Sequence, residues 1–159
     1  HLALQYIRFE NCTDVLAVQK EVERLVEERF LNTDQGSLVE CEKIARFFAT
    51  PIGLQLRRGE NVLREFKFSI LDDGNAYGDG LEGEKILLQG VVGCALMEPD
   101  GITVVDFKTD RVTEQTLFEA AERYRPQVEA YADALSRIFE KKVKRSCLYF
   151  FHLDRFVEF

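Results

Sequence analysis

"VVGCALMEPDGITVVDFKTD", residues 91–110, reads as two apolar strands folded back on each other around Pro99-Asp100-Gly101. Proline presets φ for such a turn and glycine accepts positive φ, so a tight hairpin is expected. The second strand is apolar on both faces through Val104, Val105 and Phe107, as expected of a central buried strand. It ends in a carboxylate and an amine two residues apart, Asp106 and Lys108, which strand alternation places on one face. On a surface that pair would be worth little. Closing a buried strand, it is costly unless a metal or a phosphate completes it. The partner strand carries Gly93, where a strand favours a side chain.

Working outward, the first sixty residues show helical spacing. "TDVLAVQKEVERLVEERF" has a cap at Thr13 or Asp14 and apolar residues Val15, Val18, Val22, Leu25 and Val26 on one face. "SLVECEKIARFFATPIG" predicts a second helix capped by Ser37, with Leu38, Cys41, Ile44, Ala45 and Phe48 inward and Pro51 ending it. The polar stretch from Asn32 to Gly36 is expected to join the two. "VLREFKFSI" alternates, predicting a strand with Arg64, Phe66, Phe68 and Ile70 on one face and Leu63, Glu65, Lys67 and Ser69 on the other. Residues 72–85 are rich in glycine and acids and are expected to form a loop.

Beyond the hairpin, Thr116 and Glu119 fit a capping box, and Pro126 is expected to break or restart the helix near Tyr124 and Arg125. Val128, Tyr131, Leu135, Ile138 and Phe139 then form an apolar stripe, and "CLYFFHL" and "RFVEF" close the chain as a second hairpin. The order is helices over 1–60, three strands, a long helix and two strands. That pattern predicts a single α/β (α+β) domain over 1–159 with a mixed sheet, residues 61–159 forming its core.

Composition narrows the function. At 159 residues, 46% hydrophobic and 31% charged, the chain can bury a genuine core. No apolar run approaches the roughly 18 residues of a membrane span, and there is no basic leader with a cleavage site, so a cytoplasmic protein is expected. The chain opens at His1 in a helical stretch without an initiator Met and is read as a fragment of something longer. Cys12, Cys41, Cys94 and Cys147 form no C-x-x-C pair, which argues against zinc or an iron–sulfur cluster and for reduced, buried thiols. A net charge of −7 argues against coating nucleic acid by bulk electrostatics, although a narrow basic track or DNA delivered by a partner is compatible with it. The basic clusters at Arg57–Arg58 and at Lys141, Lys142, Lys144 and Arg145 read as solvated faces.

Gln127 and Tyr131, four residues apart on the long helix, share a face. Glutamine can orient a water or a phosphate oxygen, and tyrosine can donate to phosphate or stack on a base. Each alone is weak, since Gln127 could be solvated and Tyr131 core. Together, "LLQGVVGCALMEPDGITVVDFKTDRV", "YRPQVEAYADAL" and "CLYFF" resemble the RecB-type nucleases of the PD-(D/E)XK superfamily, in particular C-terminal nuclease domains of the AddA type. The resemblance runs over nearly the whole chain and implies a restriction-endonuclease-like mixed sheet flanked by helices.

It also implies roles. Asp106 matches the family's acidic metal ligand, with the backbone carbonyl of Phe107 beside it. Lys108 matches the lysine that orients or activates the attacking water. Gln127 and Tyr131 match the pair that completes the motif and touches the DNA backbone. His1 matches a helix histidine that approaches the metal, and Glu65 a strand glutamate near the site. Gly93 departs from the pattern, standing where the family carries a second metal-binding aspartate. Folding preference does not explain a strand glycine, so the change reads as an inactivating substitution.

By resemblance the expected activity is that of a Mg²⁺-dependent DNA exonuclease, with Mn²⁺ as a substitute, impaired here by Gly93. The implied setting is an AddAB/RecBCD-type helicase–nuclease in double-strand-break repair and recombination. Its partners would be single-stranded or unwound DNA, helicase domains N-terminal to this segment and an AddB-like subunit. ATP would bind only in the helicase part, since these residues contain no phosphate-binding loop. Two alternatives stand beside it: a catalytically silent module for DNA guidance or subunit docking, and an unrelated α/β binding domain with these side chains scattered.

Overall fold

The computed structural model describes residues 2–73 and 83–159; His1 and most of the glycine-rich stretch expected as a loop lie outside them. Among the described residues, five strands form one sheet in sequence order: β1 (Val62–Asp73), β2 (Lys85–Glu98), β3 (Gly101–Lys108), β4 (Val143–Phe150) and β5 (Arg155–Glu158). β1 to β3 run antiparallel, β3 and β4 run parallel, and β4 and β5 are antiparallel, so the sheet is mixed as expected. The β2–β3 hairpin turns through Pro99 and Asp100, with Gly101 at φ +153°.

Helices cover both faces. The helices α1 (Leu2–Tyr6), α2 (Val15–Glu27), α3 (Thr33–Ser37), α4 (Cys41–Phe48) and α5 (Pro51–Arg58) precede the sheet, and α6 (Leu117–Phe139) makes the β3–β4 crossover. The helical layer meets the sheet around Phe47. Its ring lies 4.9 Å, centroid to centroid, from Phe107 of β3 and 4.8 Å from Tyr149 of β4. On the opposite face α6 buries Ala120, Ala121 and Val128 against Leu148 and Phe150, and Ala134 and Leu135 against Val92 and Val104.

Several local expectations are corrected. Ser37 does not cap a helix; Asn32 does, accepting from the Gln35 N–H in a capping box, so Thr33–Ser37 is a short helix and not a linker. Leu38 is exposed, whereas Phe47, absent from the expected stripe, is fully buried. Pro51 does not merely end α4: Thr50 caps a new helix with Pro51 in its first turn, where the missing N–H costs nothing. Gly53 is needed there, because a Cβ would stand 2.1 Å from the Phe47 carbonyl oxygen.

Thr116 makes no side-chain cap to the backbone of α6, bonding instead with Thr113. Pro126 does not break α6. It lies on the solvent side, where the carbonyl it orphans can be hydrated, while burial of the inner face offsets a cost of about 3 kcal/mol. Ile138 is largely exposed, at the rim of the stripe. Cys12, Cys94 and Cys147 are buried, free thiols, and Cys41 is free and only partly buried. In the second basic cluster Lys144 pairs with Glu98 and Asp100, and Arg145 with Glu158.

The faces of β1 also differ from simple alternation. Leu63, Phe66 and Ile70 pack toward α6, whereas Val62 and Arg64 meet the N-terminal helices. The reversal occurs at Glu65, whose φ of +50° turns the strand at one residue. β2 reverses at the same level: Cys94 and Leu96 face the N-terminal helices, and Val92 faces α6. Pairing nevertheless continues unshifted, Arg64 with Cys94 and Phe66 with Val92.

Because Phe47 joins the helical layer to two central strands, Phe47→Ala is expected to cost about 3–5 kcal/mol of unfolding free energy. A urea titration checks it, and a loss below about 1 kcal/mol would show that the aromatic contacts do not carry the junction.

Candidate active site

The β2–β3 ladder stops at Cys94 and Val105. One step further along the same register, Gly93 faces Asp106, and on β1 the register sets Glu65 opposite Gly93. Three adjacent strands thus present Glu65, Gly93 and Asp106 as a row across the sheet, at the fork where β2 and β3 part. A cleft of about 360 Å³ opens there, lined by Glu65, Gly93, Asp106, Lys108, Gln127 and Tyr131 together with Gln5, Thr109, Asp110 and Tyr124. The residues singled out in the sequence therefore converge, except His1, which lies outside the described residues.

Strand alternation places the chemistry. Phe107 packs its ring among Phe47 and Phe151 on the helical face, so Asp106 and Lys108 emerge on the opposite one. Their side chains are only 18% and 14% exposed, and the Lys108 ammonium stands 3.0 Å from Asp106 Oδ2. That oxygen is buried and receives no well-directed hydrogen bond, so the contact is one of charge. Lys108 Nζ does donate to Gln127 Oε1 at 3.0 Å, and it lies 4.0 Å above the ring of Tyr124.

α6 supplies the other wall. Burial pushes the Tyr131 hydroxyl up from its ordinary pKa, the Asp106 charge adds to this, and a hydrogen bond with Gln127 works against both. Tyr131 is therefore a neutral phenol at pH 7. Gln127 accepts from Lys108 through its oxygen and sits one turn before Tyr131 on the same wall of the cleft. Gly90 makes this wall possible, because a Cβ there would meet Phe68 at 2.8 Å and Tyr131 at 3.2 Å.

Gly93 has the opposite character. A Cβ built on it meets nothing within 4 Å, and its φ lies outside the positive range. Neither crowding nor backbone conformation requires glycine at this position.

The donor set decides how well a divalent cation fits. Mg²⁺ prefers near-octahedral oxygen ligands and is commonly held by one or two carboxylates plus waters. Asp106 offers one carboxylate, whose Oδ2 already faces the Lys108 ammonium at 3.0 Å, and Glu65 stands at the end of the row. The middle position offers no side-chain donor, and the Lys108 ammonium competes for Asp106. Among the described residues no three His, Cys, Asp or Glu side chains gather as a metal site. As it stands, the row does not fit a divalent ion.

Sequence reasoning gave no role to Tyr124 and Asp110, whose hydroxyl–carboxylate contacts are both 2.9 Å. Their signal was spacing: Asp110 follows Lys108 by two residues, and Tyr124 precedes Gln127 by three on the helix.

The sequence model of the PD-(D/E)XK nuclease superfamily matches residues 1–157. Among curated proteins, the chain is 34% identical to an ATP-dependent helicase/nuclease subunit of Bacillus mycoides, over 95% of the chain and 13% of that protein. Proteins of the same name match from Pelotomaculum thermopropionicum, at 37% identity over 95% of the chain and 12% of the relative, and from Carboxydothermus hydrogenoformans, at 36% over 98% and 14%. The chain spans 12–14% of the length of these relatives.

Since a side chain at position 93 meets open space, Gly93→Ala is expected to stabilise the fold by about 0.5–1 kcal/mol, the backbone entropy that glycine forfeits. Denaturant midpoints of the two chains measure this. A destabilised alanine variant would mean that the glycine has a structural duty after all.

Proposed function

The chain belongs to the PD-(D/E)XK nuclease superfamily, and on that premise we propose that it is the nuclease domain of an AddA-like helicase–nuclease, acting on DNA and weakened by the loss of one metal-binding carboxylate. The observation that carries this reading is the row Glu65–Gly93–Asp106, with Lys108 beside it and open space at its centre. An aspartate at 93 would set a second carboxylate opposite Asp106. A divalent ion held there would polarise the phosphoryl oxygen and acidify a bound water.

The chain's own residues support phosphodiester chemistry. Lys108, held between Asp106 and Gln127, can orient a water through a remaining N–H. Tyr131 can donate its phenol proton to a phosphate oxygen, and Gln127 holds the Lys108 ammonium on the same side of the cleft. By resemblance His1 would be the histidine that approaches the metal; it lies outside the described residues.

The wider reading rests on the family resemblance, and the relatives' names support its helicase and nuclease parts. The domain would trim single strands, as an exonuclease, in double-strand-break repair and recombination in the cytoplasm. The N-terminal helicase part would consume ATP, and an AddB-like partner would complete the assembly. Mg²⁺, or Mn²⁺ in its place, would serve a site with its full set of carboxylates. DNA brought by those partners fits a domain whose own charge is −7.

The incomplete row favours one other reading, a silent nuclease fold kept for DNA guidance or docking. The two separate on Gly93→Asp. If losing the carboxylate withdrew about 4 kcal/mol of transition-state stabilisation, restoring it raises Mg²⁺-dependent degradation of single-stranded DNA about a thousandfold. Adding Lys108→Ala should abolish the gain. A Gly93→Asp chain that still binds DNA but remains inert supports the silent module.

A further inference from the structure

We propose that Tyr124, anchored by Asp110, is a positioning residue for Lys108, its ring holding the ammonium at the mouth of the cleft. The proposal deepens the nuclease reading, in which Lys108 orients the water.

The ring lies 4.0 Å from Lys108 Nζ, within the range where an aromatic face attracts a cation. Asp106 and Gln127 each approach the same ammonium at 3.0 Å, so it is held from three sides. The third partner differs in kind. A π face attracts the charge without committing an N–H to a single acceptor, so the ammonium can still turn a proton toward water.

Tyr124 is itself fixed at both ends. Its hydroxyl donates between the two Asp110 oxygens, at 2.9 Å each, and its ring packs against Phe150 in the core under α6. Burial and then the Asp110 carboxylate raise its pKa, so it remains the neutral donor that this contact needs. Asp110 lies just past β3 and Tyr124 on α6, so the pair also ties the strand end to the helix carrying Gln127. The other charged or titratable side chains lining the cleft around Lys108 are Asp106, Glu65 and Tyr131.

The test uses the 159-residue chain with ¹³C-labelled lysine, the Lys108 signals being identified by their loss in Lys108→Arg. Lys108 Hε protons should appear upfield of the other lysines, displaced by the Tyr124 ring current. Tyr124→Phe should keep the displacement, and Tyr124→Leu should erase it. In the Gly93→Asp background, Tyr124→Leu should lower kcat about tenfold with KM little changed, and Tyr124→Phe should recover most of the loss. An undisplaced Lys108 signal in the unaltered chain overturns the proposal, and so does one that survives Tyr124→Leu. Should the leucine variant not fold, the unaltered chain alone decides. If the displacement is found but Gly93→Asp cuts no DNA, the positioning stands and the nuclease reading fails.

Discussion

A single ring, Phe107, determines which way the chemistry of β3 points. It is buried between Phe47 and Phe151, inside the aromatic cluster that joins the helical layer to the sheet. With period two, that burial commits Asp106 and Lys108 to the opposite face. A slip of one residue would drive a carboxylate and an ammonium into an apolar core and expose a phenylalanine. The register of β3 is therefore enforced by the same contacts that hold the domain together, and the cleft inherits the rigidity of the core.

The fork beside it arises from a second constraint. β1 and β2 reverse their faces together at Glu65 and Gly93, the former in a left-handed conformation that costs a non-glycine residue roughly 1–3 kcal/mol. A strain of this kind persists only where surrounding contacts outweigh it. Below the reversal Arg64 donates to the Leu4 carbonyl and covers the ring of Phe9; above it Phe66 and Phe68 pack under α6. Both ends of the kink are pinned, and the strained residue falls at the cleft. The reversal also lets the residues of β2 before Cys94 part from β3, and the opened space lies over Asp106.

Much of this was legible in the sequence. The alternation of V-V-D-F-K fixed the face of Asp106 and Lys108, and the four-residue spacing of Gln127 and Tyr131 placed them on one side of α6. Those signals survive because each is a single period within one element. What escaped depends on contacts between elements. The φ of Glu65 is set by packing on both sides of the strand, so alternation misassigned Leu63 and Arg64. Pro126 is tolerated because its side of α6 faces water, a fact that no local propensity carries. Tyr124 and Asp110 sat inside the quoted motifs, yet their pairing across the end of β3 is tertiary. The helix at Thr33–Ser37 was hidden because its cap, Asn32, sits in a polar run that resembles a linker.

Gly93 is informative because the fold does not ask for it. Where glycine is needed, at Gly53 and Gly90, an added Cβ meets backbone or ring atoms at 2.1 and 2.8 Å; at Gly93 it meets nothing. A carboxylate there would stand between Glu65 and Asp106, and three adjacent anions in a partly buried row repel one another unless a cation joins them. The glycine relieves that repulsion, and Lys108 is left to balance Asp106 without a competing metal charge. On the proposed reading, the absence of a carboxylate at 93 would lower the capacity to hold a cation while sparing, or even easing, the folding of the chain. Architecture and activity are separable at this residue, and so an intact nuclease fold around an incomplete site is physically self-consistent.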